Sequence, residues 1–387
     1  MKITEIRDIV VPIKSAINNA VISFSEMTVS AVAIHTDVVR NGERVIGFGF
    51  HSNGRYAQQG ILRERIIPRL LAVHPDSLLN DDGTGLDPEK AWGVMMRNEK
   101  PGGHGDRAVA VATMDMALWD ATAKLQGKPL YRILADRYGD GQPDRSVPVY
   151  AAGGYYYPGK DVSALKAEMR SYLDGGYTTV KIKIGGATVA QDRNRIEAVL
   201  SLLPSSDCLC VDANGRFDLP TALEYARALE PYKLKWYEEP GDPLDFNLLA
   251  EVAAASATPI ATGENLFSSQ DSRNLIRYGG LNPNRDFLQM DPALSYGIVE
   301  YRRTLEMLRA EGWSSRRCIP HGGHQMALHV AAGLHLGGNE SYPGVFLPFG
   351  GFADSTPVRN GEVELPDAPG IGIELNSDLY AMFRSLG

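Results

Sequence analysis

Along the second half of the chain, polar residues recur at a near-constant interval, each closing a short apolar run. They are Lys183, Asp212, Glu238, Glu264, Asp291, His321 and Glu340, spaced 26 to 30 residues apart except for the last step of 19. One strand and a returning helix consume about that much chain. The apolar runs are VPVYAAGG, TTVKIK, CLCVDAN, LKWYEEP, PIATGEN, DFLQMD, RRCIPH and GLHLGGNE, eight in all. Amphipathic stretches lie between them. In DVSALKAEMRSYLDGG, Asp161 can cap a helix, Val162, Leu165, Met169 and Leu173 mark one face, and Gly175 ends it. Parallel strands with crossover helices predict an α/β fold closing into a (β/α)8-type TIM barrel, with all strand carboxyl ends on one face.

Such a barrel takes roughly 250 residues, and the chain has 387. The remainder reads as a second unit. MTVSAVAIHTDVV and ERVIGFGF form a hairpin through Asn41-Gly42, and three helical patterns follow, YAQQGILRERIIPRLLAV, DPEKAWGVMM and RAVAVATMDMALWDATAKL. The last of these ends near Gly127, and the whole is an α+β arrangement, to which the Gly- and Pro-rich tail GEVELPDAPGIGIELNSD is expected to return. A formal net charge of -8 with no basic run excludes nucleic acid as a partner. The start, MKITEIRDIVVPIK, lacks a leader pattern, and no apolar run would span a membrane. Three cysteines, with Cys208 and Cys210 read as core thiols, fit a reducing compartment, so a cytoplasmic location is expected.

Asp212, Glu238 and Glu264 end adjacent strands, so their carboxylates can meet. Three hard oxygen ligands without His or Cys suit Mg2+ or Mn2+. Taken singly, any of these acids could be a solvated loop charge; three in register make that improbable. Strand alternation turns Glu238 and Glu239 to opposite faces, and Glu238 is the expected ligand. Lys181 and Lys183 share one face, and their mutual repulsion is expected to lower one pKa toward that of a general base. Across the barrel, Asp291 beside His321 gives acid-base logic. His324 is a weaker candidate that could line the mouth, while His329 and His335 read as packing or surface residues.

The order KxK, VDAN, EEP, GEN, strand-terminal Asp, strand-terminal His resembles the mandelate racemase-like branch of the enolase superfamily, over nearly the whole chain. The resemblance implies a (β/α)7β modified TIM barrel at 131-355 and an α+β capping domain at 1-130, completed by a C-terminal tail at 356-387. It implies Mg2+ on Asp212, Glu238 and Glu264, Lys183 as base, Asp291-His321 as the opposing acid-base pair and Lys181 as electrostatic helper. Glu340 would contact the substrate carboxylate, and Asn214, from VDAN, is a further substrate-binding candidate. The stretches AAGGYYYPGK, KIKIGG, YEEPGDPLDF, PHGGHQMALHVAAGL and FLPFGGFAD are similar to D-tartrate dehydratases. They imply a small acid-sugar substrate, converted to oxaloacetate and water. Such a doubly charged molecule would need cap cations, for which Lys100 in NEKPGGHG and Arg55 in HSNGRY are the candidates. Relatives of this kind commonly form homo-oligomers. Barrel residues alone leave dehydration and racemisation or epimerisation both open.

Overall fold

The computed structural model describes all residues except Lys14, Ala16 and Pro158. Three antiparallel strands come first: β1 (Ile3–Pro12), β2 (Thr28–Arg40) and β3 (Glu43–Phe50). Asn41 and Gly42, at φ 50 and 84, form the predicted two-residue turn and bring Arg40 opposite Glu43. The helix Asp106–Gln126 packs across this sheet and is buried at every position from Ala108 to Ala123. Glycines in β3 permit the approach: a Cβ on Gly47 would stand 2.2 Å from the Ala117 carbonyl oxygen, and one on Gly49 2.3 Å from that of Thr113. The helix stops, as its sequence predicts, at Gly127 in the left-handed conformation.

A parallel sheet follows, built from β4 (Ser146–Ala152), β5 (Val180–Lys183), β6 (Leu209–Asp212), β7 (Trp236–Glu238), β8 (Ile260–Thr262), β9 (Phe287–Leu288) and β10 (Asn339–Ser341). Neighbours run in the order β10-β4-β5-β6-β7-β8-β9. Helices return between strands, beginning with Val162–Asp174, where Asp161 accepts from the Ala164 N–H as expected of its cap.

The seventh apolar run, RRCIPH, differs from expectation. Ser315–Arg317 is a 3-10 turn, and the segment makes a single parallel bridge, Cys318 with Leu288. Pro320 has no N–H to give, and Gly322 and Gly323, at φ 106 and 57, turn the chain out of extended geometry. The segment still joins both neighbours, through Ile319 N–H to Leu288 O at 2.8 Å and Gly337 N–H to Cys318 O at 2.9 Å. Glu264, Asp291 and His321 therefore sit just beyond strand ends, on loops.

The tail first adds β11 (Glu362–Glu364), antiparallel to β4. It then returns to the first unit: Gly370 O accepts from Leu130 N–H at 2.9 Å, and Asp120 accepts from Ile371 N–H at 2.8 Å. Among the described residues, no helix is long and apolar enough to cross a membrane.

Candidate active site

Strand register assembles the site. Lys183 pairs with Asp212 across β5 and β6, and Asp212 with Glu238 across β6 and β7, so three charged side chains occupy one rung. Asp212, Glu238 and Glu264 each offer an oxygen within 4.8 Å of the others. The donor set fits a hard dication: all ligand atoms are carboxylate oxygens, and Glu264 Oε2 is buried with no hydrogen-bond partner. Burial and the Asp212 charge push Glu238 up to about 8, against the pull of Lys181. A bound dication would relieve that crowding.

The lysine pair behaves opposite to the sequence expectation. Burial does favour neutral lysine. The carboxylates outweigh it, Asp212 lying 2.5 Å from Lys183 Nζ, and both lysines are raised above their ordinary value. Lys181 is 2.6 Å from Glu238 and 2.8 Å from Glu340, so its charge serves the acids. Burial also works against ionised Asp212, but the two lysines hold its carboxyl below the usual range.

His321 Nδ1 faces Asp291 Oδ2 at 3.0 Å, and its Nε2 faces Glu264 Oε2 at 3.8 Å. Burial disfavours the imidazolium, but Glu264, Asp291 and Glu340 prevail and raise the ring to about 10. His321 is thus poised as a proton donor, with Asp291 fixing the Nδ1–H tautomer.

One cavity, with about 620 Å³ of empty space, joins these groups. Lys183, Asn214, Glu264 and His321 line it from the parallel-sheet unit, and Asn19, Asn53 and Arg55 from the first unit. Asn214 is tied to the ligand set, its backbone N–H donating to Asp212 at 2.8 Å, and its own Oδ1 is buried and unpartnered.

Three expected contributors lie elsewhere. Lys100 is exposed and does not line the cavity; its carbonyl accepts from Arg107 instead. His324 is buried behind the cavity. Its Nδ1 accepts from the Ala327 N–H, so Nε2 carries the proton and faces Asp291 Oδ1 at 3.3 Å. Glu340 is fully buried and outside the cavity lining, accepting from Gly322 N–H at 3.0 Å and Tyr342 hydroxyl at 2.8 Å. Lys181 is the main cause that holds Glu340 down at about 2, against burial.

Other residues enter that sequence reasoning missed. The Tyr155 ring lies 5.0 Å from Lys183 Nζ and lines the cavity. Arg195 donates to the carbonyls of Gly154 at 2.6 Å and Lys183 at 3.3 Å, bracing the backbone that carries the lysine. Glu239 also lines the cavity, because at φ 40 it leaves the strand alternation expected to turn it away. A KIK or EEP triplet carries no signal for any of these.

Comparison with known proteins bears on the same arrangement. The Enolase C-terminal domain-like family matches residues 164–379. L-talarate/galactarate dehydratase from Salmonella typhimurium is 30% identical, over 94% of this chain and 86% of its own length. Arabinonate dehydratase from Saccharolobus solfataricus is 28% identical, over 83% and 82%. Among solved structures, a racemase from Streptomyces coelicolor A3(2) with bound magnesium is 25% identical with a TM-score of 0.80, covering 99% of both chains. L-talarate dehydratase from Polaromonas sp. JS666, complexed with Mg and L-glucarate, is 26% identical with a TM-score of 0.76, covering 97% of this chain and 95% of its own. This chain belongs to the Enolase C-terminal domain-like family, within the enolase and mandelate racemase superfamily.

Proposed function

We propose that the protein is a Mg2+-dependent acid-sugar dehydratase that converts D-tartrate to oxaloacetate and water. The observation that carries this reading is one cavity lined together by Lys183, His321 and Glu264 of the carboxylate triad. We read the parallel array as a modified (β/α)7β barrel under a cap, and Asp212, Glu238 and Glu264 as the metal ligands.

The proton beside a carboxylate is weakly acidic, since its loss puts a second negative charge on that group. A bound dication would offset the charge. Lys183 takes the C2 proton in its neutral form, which a dication drawing on the Asp212 charge would favour over the ammonium held in the cation-free site. His321, kept protonated, delivers its proton to the departing C3 hydroxyl, which leaves as water. The enol product becomes the 2-oxo acid. Lys181 offsets the buried charge of Glu238 and Glu340, Asn214 and Arg55 contact the substrate, and the relatives that are acid-sugar dehydratases support the reaction class.

The test is a Mg2+-dependent screen of acid sugars of about four to six carbons for 2-oxo acid release, with D-tartrate included. Two facing proton-transfer groups would also serve racemisation, and a magnesium-bound racemase is among the similar structures. Incubation in D2O separates the two. Inverted substrate carrying deuterium at C2, with no 2-oxo acid, would replace dehydration by racemisation.

A further inference from the structure

Arg55 reaches the cavity mouth from the loop after β3, and its setting is unusual for a guanidinium. Among the described residues it has no carboxylate within 4.0 Å. Its Nη1 donates to its neighbour's carbonyl, Gly54 O, at 2.6 Å, and its Nη2 to Asn265 Oδ1 at 2.5 Å. The ring of Phe267 lies beneath it, 4.8 Å from centroid to guanidinium carbon. Three of the five N–H donors of an arginine are left unspent by these bonds.

Asn265 is fixed from the other side. Its Nδ2 donates to both oxygens of Glu239, at 2.8 and 3.0 Å, which leaves only Oδ1 to face Arg55. Glu239 is itself held in place: its N–H donates to Ala261 O at 3.0 Å and its carbonyl accepts from Gly215 N–H at 2.8 Å. That pinning maintains a left-handed backbone at a non-glycine residue, φ 40, which aims the carboxylate toward the mouth. The amide acts as a spacer. A direct Arg–Glu contact would cancel the guanidinium charge, whereas a neutral amide orients it and leaves the charge available.

We propose that Glu239 and Asn265 are positioning residues that hold Arg55 at the mouth as the docking cation for the distal carboxylate of a dicarboxylate substrate. This rests on the acid-sugar reading above and assigns the cation that would meet the second carboxylate of its diacid substrate. It also gives a role to the second Glu of EEP and the Asn of GEN, which the proton-transfer chemistry leaves unused.

The test uses the Mg2+-loaded protein and two probes, D-tartrate and threonate, which carries a hydroxymethyl group where tartrate carries its second carboxylate. Calorimetric binding gives the preference for the diacid. Asn265→Ala and Arg55→Ala should each reduce that preference about tenfold or more, the range of one charge-assisted contact. The double variant should resemble Arg55→Ala alone. Asn265→Asp, nearly the same shape, should abolish the preference with Arg55 still present, because the new carboxylate neutralises it; it serves if the alanine variant fails to fold. Equal weakening of both probes, or full additivity in the double variant, overturns the proposal. A diacid preference that responds as described, without 2-oxo acid from any acid sugar, would remove the dehydratase reading and leave the relay standing.

Discussion

Asp291→Asn isolates the proton-donating arm. Asp291 Oδ1 accepts from the Ala293 N–H at 2.7 Å and faces His324 Nε2 at 3.3 Å, while Oδ2 faces His321 Nδ1 at 3.0 Å. Both partners of Oδ1 are donors, so an asparagine will place its oxygen there and turn its NH2 toward His321. The imidazolium then loses a charge-assisted hydrogen bond, about 1.5–3 kcal/mol, and meets a donor in its place. At roughly 1.4 kcal/mol per factor of ten, the lost bond alone predicts a 10- to 100-fold fall in kcat, and the misdirected donor carries it toward about 1,000-fold. The pH profile adds a second readout. On the acid role proposed for His321, activity falls as pH rises through its pKa, raised to about 10 in the cation-free site. Removing a principal cause of that elevation moves the descending limb to lower pH. The assay is steady-state 2-oxo acid release across pH, with KM measured alongside. A kcat within about threefold of the parent, with the limb unmoved, would refute the acid role of His321.

Gly322→Ala tests the same corner sterically. At φ 106, its Cβ would stand 2.3 Å from Ser52 Oγ and 2.5 Å from Asp291 Oδ2, so thermal stability and kcat should fall together, and an unchanged kcat would count against the packing. Acid sensitivity follows from two buried histidines, His51 and His329, which burial lowers to about 4 and about 3. Their folded pKa lies below the unfolded value, so the unfolded chain binds protons the native one refuses, and stability drops as pH falls below about 6.5; from pH 7 to 5 each contributes about 2 kcal/mol of loss, measurable by urea unfolding and halved in His329→Gln. Because Glu238 sits at about 8 without a cation, binding Mg2+ at pH 7 should release about one proton. Calorimetry in buffers of differing ionisation enthalpy checks this, and a buffer-independent heat would contradict it.

Much of the site was legible because strand ends repeat. Lys183, Asp212, Glu238, Glu264, Asp291 and His321 announce themselves by spacing, and spacing is what a parallel array dictates. What stayed hidden depends on approach between distant segments. The 210 residues separating Arg55 from Asn265 carry no periodicity that would join them. Glu239 eluded the alternation rule because that rule assumes an extended backbone. The lysine pair departs from the sequence expectation for a related reason. Repulsion between two neighbours is visible in KIK, but the opposing carboxylates come from β6, β7 and β10. Among helix and turn features, Asp161, Asn41-Gly42 and Gly127 were readable because each acts within a few residues of itself.

The shared rung of Lys183, Asp212 and Glu238 has a consequence for how such a protein can change. Their mutual distances are set by hydrogen-bonded backbone, so lengthening a loop between strands leaves them in place, whereas a one-residue slip within a strand would turn the ensemble inside out. Arg55, which lines the cavity, arrives on a loop of the first unit and is held there by Asn265 and Glu239 of the parallel-sheet unit. On the reading proposed above, a new substrate would then call for joint changes in the loop around Arg55 and in the Asn265–Glu239 link, while the rung itself is carried forward intact.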